Sequence, residues 1–256
     1  MAGKSIVVAN WKMHPKTLAE AKHLFLGVKK AVSRVRGVVV VVCSPAVFLA
    51  ELRKLYVGKR ISFGGQDVHA EKSGAYTGST SASMLKSVGA SYVIIGHSER
   101  RIAGETNEDV QEKVRAALDE HLAVVLCIGE QRRDYEGEYL TFVKDELEVA
   151  LSGVAADELR RVVIAYEPIW AIGKTANEAM KPHDMHQMTL FIRKILAEQY
   201  NREVALKVAV LYGGSVEPEN CEALIKDGDV NGFLVGHASL DPTSFGAILA
   251  CVHEKR

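Results

Sequence analysis

Val38-Val39-Val40-Val41-Val42-Cys43 is the run whose reading decides the fold. It is apolar at every position and dominated by β-branched side chains. A sheet with one wet face would alternate apolar and polar residues, so an unbroken run points to a strand buried on both faces, as in parallel sheets. Working outward, seven more short runs read as strands: Ser5 to Asn10, Ile61 to Gly65, Tyr92 to Ile95, Ala123 to Ile128, Val162 to Glu167, Lys207 to Leu211 and Gly232 to Val235. Between them lie longer segments of helical period. Thr17-x-x-Glu20 reads as a capping box before a stripe of Leu18, Ala21, Leu24, Phe25, Val28 and Val32, and Asp241-Pro242 reads as an N-cap ahead of Phe245, Ile248, Leu249 and Val252. An α/β chain with eight parallel strands, each followed by a helix, closes most naturally as a (β/α)8 barrel of the TIM type. A doubly wound open sheet is the structural alternative. No linker, low-complexity tract or internal repeat divides the chain, so residues 1–256 are expected to form one domain.

Charge narrows the partners. Lysine plus arginine (32) equals aspartate plus glutamate (32), so no broad basic field attracts nucleic acid or an anionic membrane, and any charged ligand must be held locally. The apolar stretch within Met1 to Asn10 is too short for a signal-peptide core, and no apolar run is long enough to span a bilayer. Cys43, Cys127, Cys221 and Cys251 are far apart in sequence with no Cys-x-x-Cys pair, the pattern of buried thiols in a reducing compartment. The expected location is the cytoplasm.

In a barrel of this kind chemistry gathers where strands end. The first strand runs into Asn10-Trp11-Lys12, the fourth into Gly96-His97-Ser98-Glu99-Arg100, the sixth ends on Glu167 before Pro168, the seventh leads to Gly213-Gly214-Ser215 and the eighth to Gly236-His237. Glu167 follows an apolar run, and shielding from water makes a carboxylate a stronger base. The other reading is a strand-end glutamate paired with a lysine or arginine. His97 sits at a strand-to-helix turn, where a helix N-terminus favours a neutral ring that donates a hydrogen bond; the alternative is a structural histidine. Lys12 suits an anionic substrate or an enolate oxygen, or else is a solvated surface lysine. The glycines of Gly213-Gly214-Ser215 and Gly236 would let backbone amides approach a phosphate, or simply turn the chain. Three motifs fail. Gly173-Lys174-Thr175 has Pro168 where a P-loop needs glycine, Gly96 to Arg100 has arginine where a nucleophile elbow needs glycine, and His183 with His186 has no third metal ligand in view.

The chain resembles the triosephosphate isomerase family from end to end. The resemblance is carried by Asn10-Trp11-Lys12-Met13, Ile94 to Arg101, Cys127-Ile128-Gly129-Glu130, Ala165 to Gly173, and Tyr212-Gly213-Gly214-Ser215-Val216. It implies interconversion of dihydroxyacetone phosphate and glyceraldehyde 3-phosphate through an enediolate, without metal or organic cofactor. Glu167 would carry the proton and His97 would polarise and reprotonate the oxygens, the family's known pairing. Lys12 and Asn10 would stabilise the developing charge. Amides of Gly173, Ser215, Gly236 and His237 would hold the phosphate, and Pro168 to Ala176 would form a closing lid. The resemblance also implies a homodimer through the loop Gln66 to Ser79, whose bland alternative is a mobile polar loop on a monomer.

Three positions depart from the family pattern. Ala171-Ile172-Gly173 runs straight into Lys174-Thr175-Ala176, two residues short of the usual lid. His237 replaces a glycine of the last phosphate loop. Ser79 replaces a glutamate that pairs with an arginine across the interface, which leaves Arg100 without its expected partner. The competing functional readings are another phosphate-binding barrel enzyme, an aldolase or a sugar-phosphate isomerase, and a barrel that binds phosphosugars without turnover.

Overall fold

A computed structural model describes residues 5–175 and 178–254. Residues 1–4 and 255–256 of the expected domain, and Ala176 at the end of the expected lid, lie outside the described residues. The strands are β1 (Ser5–Asn10), β2 (Val38–Cys43), β3 (Ile61–Gly65), β4 (Tyr92–Ile95), β5 (Ala123–Ile128), β6 (Val162–Tyr166), β7 (Ala209–Tyr212) and β8 (Gly232–Val235). Each runs parallel to the next, and β1 pairs with β8 from Ile6 beside Gly232 to Ala9 beside Val235, so the sheet closes into the expected (β/α)8 barrel.

Alternation along the strands separates two cores. Ile6, Val8, Val41, Ile94 and Val125 pack inside the barrel, whereas Val7, Val40, Val42, Val93 and Val124 pack between the barrel and its helices. Each such side chain taken wholly out of water contributes about 1.5 to 3 kcal/mol. The valine run that fixed the fold is buried from Val40 to Cys43 and half-buried at Val38 and Val39. Closure needs a residue without a side chain at Gly232: it has φ 148°, and a Cβ there would lie 1.8 Å from the Ile6 carbonyl oxygen.

Four sequence expectations change. Lys207 ends a short helix, Arg202–Lys207, because the Asn201 side chain accepts from Val204 N at 2.9 Å; β7 starts at Ala209 and extends to Tyr212. Glu167 stands one residue beyond β6, although its N–H still donates to Ile128 O at 2.8 Å. Only half of the Thr17 capping box forms: Thr17 Oγ1 accepts from Glu20 N, but the Glu20 carboxylate takes Lys16 N instead of Thr17 N. A full box appears instead at Thr106 and Asp109, heading Asn107–Asp119. Arg100, whose expected partner belongs to a second chain, has Nε 3.2 Å from Asp67 Oδ2 and 3.9 Å from Glu105 Oε1 of its own chain, which leaves that expectation as it stood. The cysteines are all free thiols, but Cys251 is only half-buried and its thiol meets that of Cys221 from a neighbouring helix. The Asp241 cap forms as read, its carboxylate accepting from Ser244 N at 2.8 Å.

Candidate active site

The ends of β1, β4, β6, β7 and β8 share one rim, where a cavity of about 440 Å³ opens. Every residue singled out from the sequence lines it: Asn10, Lys12, His97, Glu167, Gly173, Ser215, Gly236 and His237.

Glu167 is 2% exposed, so its carboxylate must be satisfied by protein donors. Oε2 accepts from Ser98 N at 3.0 Å, and Oε1 lies 3.3 Å from His97 Nε2. The Cys127 thiol stands beside it; burial first, and the charge of Glu167 second, push that thiol far up and keep it protonated. His97 caps the helix Ser98–Ile102, and its Nδ1 accepts from Glu99 N at 3.2 Å. A nitrogen that accepts has no proton to give, so the neutral ring carries its hydrogen on Nε2, facing Glu167 and the cavity. The backbone of a helix N-terminus thereby selects the tautomer.

Lys12 occupies a left-handed backbone conformation, φ 51°, which a lysine adopts only when its surroundings hold it there. Two side chains do so. Asn10 Oδ1 accepts from Lys12 N at 3.0 Å, and Gln66 Nε2 donates to Lys12 O and to Cys43 O, each at 2.9 Å. The ammonium reaches Glu99 Oε1 at 2.6 Å. Burial opposes ionisation of Glu99, yet the Lys12 ammonium and His97 keep its carboxyl below the usual range. Glu99 is more than half exposed, so this pair is weak and Lys12 can exchange it for a ligand at little cost.

Beyond the acid–base pair, the cavity wall is built from backbone. Gly173 has φ 72° and open space on its Cβ side. Ser215 N donates to Ala171 O at 3.3 Å, and Ser215 Oγ accepts from Lys174 N at 3.0 Å, so the shortened segment after β6 is tied to the loop after β7. An anion taking the Ser215 amide would displace the Ala171 carbonyl. His237 is exposed, and its φ does not fall in the left-handed region, so replacing glycine there costs no backbone strain.

Sequence reading gave no role to the residues that brace this site. Glu130, 1% exposed, accepts from Tyr166 OH and Trp170 Nε1, each at 2.8 Å, and lies 3.3 Å from Arg133 Nε, fixing the root of the segment after β6. Gly129 lies so close to Glu167 that a Cβ would sit 1.9 Å from the Glu167 carbonyl oxygen. Both follow β5, so reading strand ends there, as at the other strands, would have found them. Gln66 was read only as the start of a dimer loop, and Ser98 and Glu99 were quoted at the end of the fourth strand without a role of their own. His183 faces Gln187 along its own helix at 3.1 Å, and among the described residues no group of three or more His, Cys, Asp or Glu side chains is placed to hold a metal ion.

Known proteins are similar to this chain over nearly its whole length. The triosephosphate isomerase family profile matches residues 5–252. A triosephosphate isomerase of Symbiobacterium thermophilum is 43% identical over 253 residues, covering 98% of both chains. Those of Hydrogenovibrio crunogenus (44% over 254 residues, 97% of this chain and 98% of the other) and Roseiflexus sp. (43% over 242 residues, 94% of each) are similar to the same extent.

Proposed function

Because this chain belongs to the triosephosphate isomerase family and interconverts dihydroxyacetone phosphate and glyceraldehyde 3-phosphate, we propose that Glu167 is the base that carries the proton between the two carbons. The observation that carries this assignment is the Glu167–His97 pair, buried at the cavity wall with a proton-bearing Nε2 beside a carboxylate. Glu167 removes a proton from the carbon next to the carbonyl. The His97 Nε2–H gives its proton to the carbonyl oxygen as negative charge builds there and the ring takes up the proton of the neighbouring hydroxyl, while Glu167 returns its proton to the adjacent carbon, so that the carbonyl has moved by one position. Asn10 spends its Oδ1 on Lys12 N, which leaves its amide hydrogens for the enediolate oxygens. The Lys12 ammonium adds positive charge on the same side. Amides of Gly173, Ser215, Gly236 and His237 hold the phosphate, with the segment from Pro168 onward covering it. Excluding water there strengthens every charge interaction and protects an enediolate that would otherwise expel phosphate. Turnover in tritiated water tests the assignment: tritium appearing on the substrate carbons is expected, and turnover with no label in either compound would remove the exchangeable base.

The same reading extends to assembly and place. The protein is a homodimer through the loop Gln66 to Ser79 and works in the cytoplasm. What supports the dimer is exposed apolar surface: Met13 and Val47 are 91% and 81% exposed, and Tyr76, on the loop itself, is half-exposed with its ring tilted against that of His69, centroids 4.1 Å apart. Ser79 removes one partner from that interface, and Arg100 turns to Asp67 within the chain. Sedimentation should report twice the 28.0 kDa chain mass, and Tyr76→Glu should shift it to a single chain. A wild-type protein that sediments as one chain at all concentrations would refute the dimer. Free thiols and the absence, among the described residues, of a helix long and apolar enough to cross a membrane are the observations that accord with the cytoplasm.

A further inference from the structure

The side chain of His237 lines the same cavity as the backbone of Gly236, Ser215 and Gly173, at the first residue of a short turn, His237–Leu240. The turn is held by Ser239, whose N donates to Gly236 O at 2.9 Å and whose Oγ donates to the same oxygen at 2.6 Å. A glycine in this place would offer a phosphate one amide; histidine offers an amide and an imidazole.

The charged groups that share the cavity come from four other elements. Glu217 lies on the loop after β7, Lys174 on the segment after β6 and Lys12 on the loop after β1, while Glu167 and His97 form the acid–base pair. On the element of His237 itself the nearest acid in sequence is Asp241, whose carboxylate is spent on capping the following helix. Glu217 is the group that matters. Glu217 and His237 line the same cavity, where burial pushes the Glu217 carboxyl up and the nearby His237 works in the opposite direction. A carboxylate in the wall of a cavity that takes a dianion is a repulsive element, and it needs a cation to offset it.

We propose that His237 binds the phosphate through its side chain as well as its amide, the imidazolium both contacting the phosphate and offsetting Glu217, so that this chain binds phosphorylated ligands more tightly in acid than in base. The proposal rests on the triose phosphate reading of the cavity. Imidazole is the side chain whose charge ordinarily changes between about pH 5 and 8, whereas ammonium groups ordinarily keep theirs across that range.

Inorganic sulfate is the suitable probe because, unlike phosphate, it stays a dianion throughout. Its inhibition constant against triose phosphate turnover is measured at about pH 6 and about pH 8.5 for wild type, His237→Gln, His237→Gly and Glu217→Gln. Wild type should bind sulfate about three- to tenfold more tightly at the lower pH, as expected for gain of one charge-assisted contact at an open site. In both His237 variants that ratio should fall to about one, with KM rising at the lower pH by more than kcat falls. In Glu217→Gln sulfate should bind more tightly at the higher pH than it does to wild type. A flat wild-type ratio, a ratio that survives in both His237 variants, or one that disappears in Glu217→Gln alone would each overturn the assignment; the last would make the carboxylate the titrating group. Calorimetry of sulfate binding on the same proteins keeps the two readings apart. Binding with the predicted ratio but without triose phosphate turnover would leave His237 as a phosphate ligand and refute the catalytic reading.

Discussion

Glu167→Gln is expected to lower kcat for triose phosphate isomerisation by about 10² to 10⁴, the range supplied by a positioned general base. Glutamine fills nearly the same volume, and its carbonyl oxygen can still accept from Ser98 N, which Glu167 Oε2 meets at 3.0 Å. What it cannot do is take a proton. Its amide hydrogens would also face the Nε2–H of His97, now donor against donor across the 3.3 Å that a carboxylate bridges. Affinity for substrate should change far less than turnover, because the phosphate contacts are backbone amides that the substitution does not touch. Glu167→Asp separates presence of the base from its position. Shortening the side chain by one methylene withdraws the carboxylate by about 1 Å, a misplacement that can cost about 10² in rate. Steady-state kinetics on both variants, with thermal unfolding as the check on folding, decide the matter. If Glu167→Gln turns over within tenfold of wild type, the base lies elsewhere.

Why these residues could be found from sequence, and others could not, follows from what kind of information each requires. Eight strands were legible because burial on both faces leaves an unbroken apolar run, as in Val38 to Cys43, and Glu167 and His97 were legible because a polar group at the end of such a run stands out. Partners were not. Lys12 is held by Gln66 and paired with Glu99, each more than fifty positions away, and periodicity tells which way a side chain faces but not what it meets. Lys207 was misplaced for a related reason. Its β-branched neighbours suit a strand, while the Asn201 cap that makes it helical lies six residues earlier. Arg100 meets Asp67 and Glu105 of its own chain, contacts on which a comparison with the family pattern at Ser79 says nothing. The resemblance to the family could supply roles for matching positions, but not the contacts that this chain makes where it departs.

Gly129→Ala is the second large effect, and it acts without touching substrate. A Cβ at residue 129 would stand 1.9 Å from Glu167 O and 2.5 Å from Glu167 C, so one backbone or the other must move. The backbone of Gly129 is not free to yield. Its N–H donates to Glu146 Oε2 at 2.7 Å, and Glu146, 1% exposed, is itself held by Arg101 at 3.2 Å. Burial pushes the Glu146 carboxyl up to about 7 while Arg101 and the Gly129 amide pull it down, and a hydrogen bond at 2.7 Å survives in either protonation state. The displacement therefore falls on the peptide that carries the base, which is the one part of the site where about 1 Å matters most. We expect a loss of about 1 to 3 kcal/mol of stability, typical of overpacking, together with a fall in kcat of about 10². KM should move less, because Ser215 and Gly236 belong to the loops after β7 and β8, whereas Gly129 follows β5. By contrast, a Cβ at Gly236 would meet nothing nearer than Lys12 Cε at 3.5 Å, so Gly236→Ala should destabilise far less than Gly129→Ala. Denaturant unfolding and the separate changes in kcat and KM read both variants. A Gly129→Ala protein with wild-type turnover would show that the position of Glu167 is not set by the strand beside it.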